Sequence, residues 1–349
     1  MKAFWRLIGD AVKLPNRYSN WKRAFPSCFI EITTNVGCPV VCKDCPQRTF
    51  VQAYKKDPTR PQMMAFSDFK RIIDSAPPRT KILFAGFSEP FRNPQCVDMI
   101  EYALKKYRVW VNTTLVGLRV EDYRRFKDHP NLETFTLHIP DADGATKLKI
   151  DDEYLSVLRF VVDNKPGGFG VSLHGSAEHP RISHIIRHSE RRLIMDRAGH
   201  LDVDASIISD VFPDGRIRCG HLWLTNHRYG SGLVLPDGTT VVCCMDWSMD
   251  YIIGNAFSQS IPEMRRSEKY QLCLESCKNP NVESLCRRCA YAVYQDSLFS
   301  DPKRWFMERD WFRHLDLNVA KKSLTVSPPP FPPPSEGEGW GGGGKGHRG

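Results

Sequence analysis

Short apolar runs alternate with stretches of helical spacing over the first half of the chain, and this alternation restricts the fold more than any other feature. Phe29–Thr34, Lys81–Gly86, Arg108–Asn112, Glu133–Ile139 and Gly170–His174 read as strands, with Arg192–Met195 a weaker sixth. Between them Ser67–Ile73, Val97–Tyr107, Val120–Lys127, Tyr154–Asp163 and Ile182–Glu190 read as helices. Repeated βα units imply a parallel sheet with right-handed crossovers, so an α/β fold is expected: a partial (βα)6, TIM-like barrel. In such sheets the chemistry gathers at the carboxyl ends of the strands. Four polar or glycine-bearing loops fall there: Cys38–Cys45, Gly86–Pro90, Asn112–Thr114 and His174–Ser176.

The character changes after about residue 200. Two short apolar runs around Pro236-Asp-Gly238 predict a β-hairpin, and Ile261–Leu272 predicts a helix with proline in its first turn. A small cysteine-rich α+β domain is therefore expected to follow the barrel. The organisation predicted is a lead-in at 1–27, a core at 28–200, the second domain at 201–326 and a Pro/Gly-rich tail at 327–349. That tail cannot bury a core and is expected to be disordered.

Composition removes several classes. Hydrophobic residues are 41% and charged residues 26% of the 349, as in ordinary soluble proteins. No apolar run approaches the roughly 18 residues of a membrane span. The N-terminus lacks the uncharged core and cleavage site of a secretion signal, so a cytoplasmic location is expected. The net charge of +9 is spread out, without the clustered basic face and stacking aromatics that nucleic acid requires.

Twelve cysteines are many for a reducing compartment, and metal ligation explains them better than disulfides. Ten fall into two groups, at 38–45 and 219–289; Cys28 and Cys96 read as small core hydrophobes. Cys38, Cys42 and Cys45 have C-x3-C-x2-C spacing with no fourth ligand nearby. Three thiolates can fill three corners of a tetrahedral sulfur site or bind three irons of a cubane cluster. Either way one position stays open, which suits chemistry more than a structural staple.

This loop, placed after a first βα strand, resembles the signature of the radical S-adenosylmethionine superfamily. Gly86-Phe-Ser-Glu-Pro90 resembles that family's G-x-G-E-P motif, with Ser88 in place of glycine. Val171–Glu178 is similar to its G-x-I-x-G-x-x-E pattern, with Val171 and Leu173 as departures. Asp44 stands where an aromatic residue often precedes the third cysteine. The resemblance spans roughly residues 28–195. It implies a [4Fe–4S] cluster on Cys38, Cys42 and Cys45 whose open iron chelates S-adenosylmethionine, and a one-electron donor such as flavodoxin or ferredoxin. It also implies that the backbone around Gly86 and Ser88, with Glu89 shaping the turn, meets the methionine amino group, that Thr113 and His138 meet the ribose, and that the Leu173–Gly175 backbone meets the adenine.

Cys219, the Gly238-x4-Cys243 hairpin and Cys286-x2-Cys289 resemble the SPASM/Twitch extension of such enzymes. That resemblance implies an auxiliary [4Fe–4S] cluster on Cys219, Cys243, Cys286 and Cys289, with Cys244 able to replace Cys243. Cys273 and Cys277 are left over, and a single auxiliary cluster is favoured over two. Relatives of this type give oxidative outcomes on a small molecule, sugar or peptide. Asp246, beside the cysteine pair, reads as a surface or capping residue before it reads as a proton acceptor. The alternative for the whole chain is a noncatalytic zinc or iron–sulfur module acting as a partner or nucleic-acid adaptor.

Overall fold

The computed structural model describes residues 28–186, 189–191, 196–201, 214–219, 232–289 and 291–294. The first eight strands are β1 (Cys28–Ile32), β2 (Val41–Cys42), β3 (Thr80–Phe84), β4 (Arg108–Thr113), β5 (Leu132–Ile139), β6 (Thr146–Lys147), β7 (Phe169–Leu173) and β8 (Glu190–Arg191). The helices among them are α1 (Gln47–Tyr54), α2 (Phe66–Ser75), α3 (Cys96–Leu104), α4 (Val120–Phe126) and α5 (Asp152–Asp163). β1, β3, β4, β5, β7 and β8 lie side by side in that order, all parallel, as consecutive βα units require.

Side chains alternate across these strands, and the two faces have different partners. Ile30, Ile32, Ile82, Phe84, Val109, Val111, Phe135, Leu137 and Ile139 are buried in one cluster with helix residues such as Phe69, Ile72, Ile100, Tyr123, Phe126 and Leu158. Each large side chain so buried contributes about 1.5–3 kcal/mol. The opposite face carries Glu31, Lys81, Trp110, Asn112, Thr136, His138 and Ser172, as the register Trp110↔Thr134, Asn112↔Thr136 and His138↔Ser172 requires. Toward the amino ends this inner face is plugged. Lys81 Nζ lies 2.6 Å from Glu133 and 4.1 Å from the centre of the Trp110 ring, whose Nε1 donates to Glu133 at 2.9 Å. The carboxyl ends are left for the loops.

The later strands are β9 (Ile217–Cys219), β10 (Gly232–Val234), β11 (Thr239–Val241), β12 (Ile252–Asn255) and β13 (Ala292–Tyr294), with helices α6 (Ile261–Met264) and α7 (Glu268–Lys278). The hairpin expected around Pro236–Gly238 is β10–β11, and it does not stand apart. β10 pairs in parallel with β1, Ile30 opposite Gly232, so one nine-stranded sheet runs β12-β11-β10-β1-β3-β4-β5-β7-β8. β9 and β13 form a separate antiparallel pair.

Three local expectations are corrected. Residues 181–185 form consecutive turns rather than a helix: the Ile182 amide bonds to His179 just after Pro180, and Ile182 and Ile186 anchor the segment by burial. The helix expected over Ile261–Leu272 is two, because the Ser267 side chain accepts from Tyr270 N and starts α7 afresh. α1 has no counterpart in the sequence reading; Phe50 and Tyr54, one turn apart, are its buried face. Arg192–Met195, the 1–27 lead-in and the 327–349 tail lie outside the described residues.

Candidate active site

β1 runs out into the three-cysteine loop, and the fold grips that loop from several sides. β2, which contains Cys42, pairs antiparallel with β6, and Lys43 N donates to Ala145 O at 2.8 Å. β6 is held in turn by the buried Asp141 carboxylate, which accepts from the amides of Asp143, Ala145 and Thr146 at 2.9, 2.8 and 2.6 Å. Gly175 lies against that carboxylate: a Cβ there would stand 2.3 Å from Asp141 Oδ1. The Gly175 of the fifth-strand motif is therefore required by close packing behind the cysteine loop. Leu173 is buried in the main core at the end of β7.

Asp44 lies between the second and third cysteines and is 3% exposed. The Arg197 guanidinium clasps it twice, Nη2 to Oδ2 and Nε to the backbone carbonyl, both at 2.9 Å. His174 Nδ1 also lies 2.9 Å from Asp44 Oδ2, an ion-pair distance without the alignment of a straight hydrogen bond. His174 Nε2 is 3.2 Å from Nδ1 of His138, and the two rings stack at 5.5 Å. Burial alone would raise the Asp44 carboxyl, but His174 and Arg197 outweigh it and hold it well below the usual carboxylate range. His138, expected at a ribose, is thus the outer member of a His–His–Asp–Arg chain leading to the cysteine loop.

The second-strand motif is locked just as firmly. Gly86 has φ +65°, and a Cβ there would stand 2.2 Å from Thr33 Oγ1, so only glycine fits. Its amide donates to Glu31 at 2.9 Å and that of Phe87 to Thr33 Oγ1 at 3.1 Å. Burial raises the Glu31 carboxyl against this single amide. Glu89 is buried and turns away from the loop surface. It accepts from Thr113 Oγ1 (2.6 Å), Thr114 N (2.6 Å), Thr114 Oγ1 (2.7 Å) and Phe91 N (3.3 Å), binding the β3 loop to the β4 loop. Thr113 also accepts from Leu115 N at 2.8 Å, so its hydroxyl serves this joint.

Among the described residues, Ser88 Oγ, Ser172 Oγ and Gln47 Oε1 are buried without a hydrogen-bond partner. Such orphans are uncommon in folded proteins and mark places where a polar ligand completes the bonding. Gln47 Nε2 lies 4.0 Å from Cys45 Sγ and donates to Phe87 O, tying the cysteine loop to the Gly86 turn.

Burial raises all three loop thiols, and cysteine neighbours add to it at Cys42 and Cys45: Cys45 is pushed up to about 12 by burial, Asp44 and Cys38. Backbone amides of Val40 and Glu89 face the Cys38 sulfur. Three crowded, desolvated thiols with amides aimed at sulfur become thiolates only when a strongly cationic centre joins them. This donor set fits an iron–sulfur cluster. Among the described residues no group of three or more His, Cys, Asp or Glu is gathered as for a single metal ion.

The second cysteine group converges more than its spacing suggests. Cys219 on β9 lies opposite Ala292, three residues past Cys289. Cys243, Cys286 and Cys289 share one apolar cluster, and Cys289 is raised by burial and by the nearby Cys219. The two leftover cysteines join them. Cys273 and Cys277 lie one turn apart on α7 beside Cys286, whose thiol their proximity holds well below the ordinary thiol range. Helical i, i+4 spacing, not loop spacing, brings them together. Cys244 packs differently from Cys243, in the Phe50–Phe87–Trp247 cluster with Cys45, and its electrostatic neighbours are Glu31 and Arg197 as well as Cys289 and Cys219. Asp246 caps the turn between, accepting from Asp250 N at 3.0 Å and Tyr251 N at 2.9 Å, and burial pushes it up to about 6.

An aromatic stack joins the two centres. Phe87 packs on Phe50 at 4.8 Å and on Trp247 at 4.2 Å, linking the Gly86 turn and α1 to the cysteine hairpin.

Residues 228–290 match the SPASM iron-sulfur cluster-binding domain, a span that includes Cys243, Cys286 and Cys289 but not Cys219. Among solved structures, the chain is similar to BtrN in complex with AdoMet and 2-DOIA (14% identity, TM-score 0.46, covering 77% of this chain and 93% of that one). It is also similar to native anSMEcpe with bound AdoMet (12% identity, TM-score 0.48, 86% and 100%). A third is Streptococcus suis SuiB bound to precursor peptide SuiA (12% identity, TM-score 0.49, 76% and 71%). No curated protein matches at a comparable level.

Proposed function

We propose that the chain is a radical S-adenosylmethionine enzyme that oxidatively modifies a small molecule, sugar or peptide. One observation carries this reading: the three-cysteine loop and the Gly86–Pro90 turn are fastened to each other at one end of a parallel sheet by Gln47, whose side-chain amide reaches both Cys45 Sγ and Phe87 O. When bound, a [4Fe–4S] cluster on Cys38, Cys42 and Cys45 supplies the electron that splits S-adenosylmethionine into methionine and a 5′-deoxyadenosyl radical, and an auxiliary cluster supplies an acceptor for the electron a substrate radical gives up.

The chain's own residues do the positioning. Glu31 and Thr33 fix the amides of Gly86 and Phe87, so the turn that meets the methionine amino group is preorganised. Ser88 Oγ, buried and without a partner among the described residues, lies in that turn as a further polar contact. Glu89 holds the β4 loop in place instead of contacting the ligand directly. Ser172 Oγ and His138 share the inner face where the adenosyl group and substrate would lie. Cys219, Cys243, Cys286 and Cys289 are the proposed auxiliary ligands, with Cys273 and Cys277 beside Cys286. A flavodoxin or ferredoxin would deliver the electron. Among the described residues no helix is long and apolar enough to cross a membrane.

Anaerobic reconstitution tests the proposal. About eight irons per chain are expected, four of them lost in a Cys38/Cys42/Cys45→Ala variant, with release of 5′-deoxyadenosine on reduction with S-adenosylmethionine. Tight zinc in place of iron, without affinity for S-adenosylmethionine, would favour the noncatalytic module instead.

A further inference from the structure

Arg197 lies outside every cysteine motif, yet it faces both cysteine groups. We propose that it is a positioning residue that links the two centres electrostatically: its one charge, held by Asp44, sets the reduction potential of both. The inference rests on the functional reading above.

The geometry is specific. Two of the guanidinium nitrogens are spent on Asp44, inside the first cysteine loop, and the side chain is only 18% exposed. From that position it is bonded to the residue next to Cys45, Cys45 and Cys244 pack in one apolar cluster, and Ala198, next to Arg197, packs with Cys243, Cys286 and Cys289 of the second group. The backbone is bent to deliver it. Arg197 and Ala198 have φ of +52° and +57°, followed by Gly199 at +84°, a left-handed run that L side chains adopt only where the surroundings impose it. Asp196 Oδ1 accepts from Ala198 N at 3.2 Å, and Ala198 is buried in the core of the second cysteine group. The segment is thus anchored in one centre while its arginine reaches into the other.

The charge balance explains the arrangement. A carboxylate placed between two cysteine ligands disfavours adding an electron nearby, and a bidentate arginine offsets it. In a partly desolvated site the arginine's field extends to both centres with little screening.

The test is potentiometric EPR on iron-loaded protein. Each centre is read alone, in a background where the other's cysteines (Cys38/Cys42/Cys45 or Cys286/Cys289) are changed to alanine. Arg197→Met should lower both potentials, cutting the reduced fraction at fixed solution potential about tenfold, or about 59 mV for a one-electron couple. Arg197→Lys, which keeps the charge, should stay within about threefold of the parent, or about 28 mV on that scale. Asp44→Asn should raise the first centre's potential, and Asp44→Asn/Arg197→Met should bring it back toward the parent. An iron-loaded Arg197→Met protein with unchanged potentials overturns the inference, as does an Arg197→Lys protein that falls as far as the methionine variant. If Arg197→Met fails to load iron, the asparagine variant decides: an unchanged or lowered first-centre potential overturns the inference. A parent protein that binds no iron removes the functional reading itself, whereas a loaded, radical-forming protein indifferent to Arg197 removes this inference alone.

Discussion

Asp246 gives the sharpest quantitative test of how the cysteine hairpin is built. Its carboxylate holds two backbone amides of the 246–251 turn in a buried position, where desolvation raises its pKa from 3.8 to about 6. A carboxyl whose folded pKa is raised contributes stability that is present below the unfolded pKa and lost as pH rises through the folded one. At 1.36 kcal/mol per pKa unit, ionisation weakens the fold by about 3 kcal/mol once pH is well above 6, of which about 1.4 kcal/mol is lost between about pH 5 and pH 8. Asp246→Asn removes this titration and gives up one of the two amide bonds, a loss of about 1–3 kcal/mol that does not vary with pH. The variant should therefore look about 1.4 kcal/mol better relative to the parent at about pH 8 than at about pH 5. Urea denaturation of iron-loaded protein at the two pH values, followed by tryptophan fluorescence, measures the difference. A penalty equal at both within about 0.5 kcal/mol would refute the argument that burial governs this carboxyl.

Three further substitutions probe the joints around the first centre. Gly86→Ala must place its Cβ against Thr33 in a left-handed conformation, so it should cost about 2 kcal/mol or more and abolish S-adenosylmethionine binding by calorimetry. Glu89→Gln turns an amide group toward one of the backbone N–H donors its carboxylate now accepts, and a loss of about 3 kcal/mol is expected in denaturant titrations; under 1 kcal/mol would mean the four bonds are not what joins the β3 and β4 loops. Trp247→Ala empties one end of the Phe50–Phe87–Trp247 stack and should cost about 3–5 kcal/mol, seen as a lower midpoint in thermal unfolding.

The sequence was most legible where one physical rule acted alone. The two-residue alternation of β5 and the apolar run of β1 located strands to within a residue or two, because a buried sheet face tolerates no other pattern. The C-x3-C-x2-C spacing is legible because thiols so closely spaced are rare, and the Gly86 turn is legible through its resemblance to a family motif. Long-range partners were not. Asp44 looked like a departure from a pattern, and nothing near it in sequence announces Arg197, a hydrogen-bond partner 153 residues on. Cys273 and Cys277 were set aside because their spacing suits no loop motif, although a helix turn brings both to Cys286. The resemblance puts Thr113 at a ribose, and nothing in the sequence shows that its hydroxyl also serves the buried Glu89. The signal available for these was weak: a charged or hydroxyl side chain beside a functional motif must be paired with something, but sequence does not say with what.

The pairing of β10 with β1 bears on how the chain reaches this structure. β1 is the first described strand, and its free edge is completed by residues about two hundred positions downstream, a long-range contact of the kind that slows folding. While the chain emerges, that edge offers unpaired amides and carbonyls to any passing strand. A fragment cut near residue 200 would keep the edge open permanently, so the cysteine-rich segment acts as the closing piece of the sheet as well as a metal-binding unit. Folding of the first cysteine loop and delivery of the second are thereby made a single event, with the sheet as the coupling.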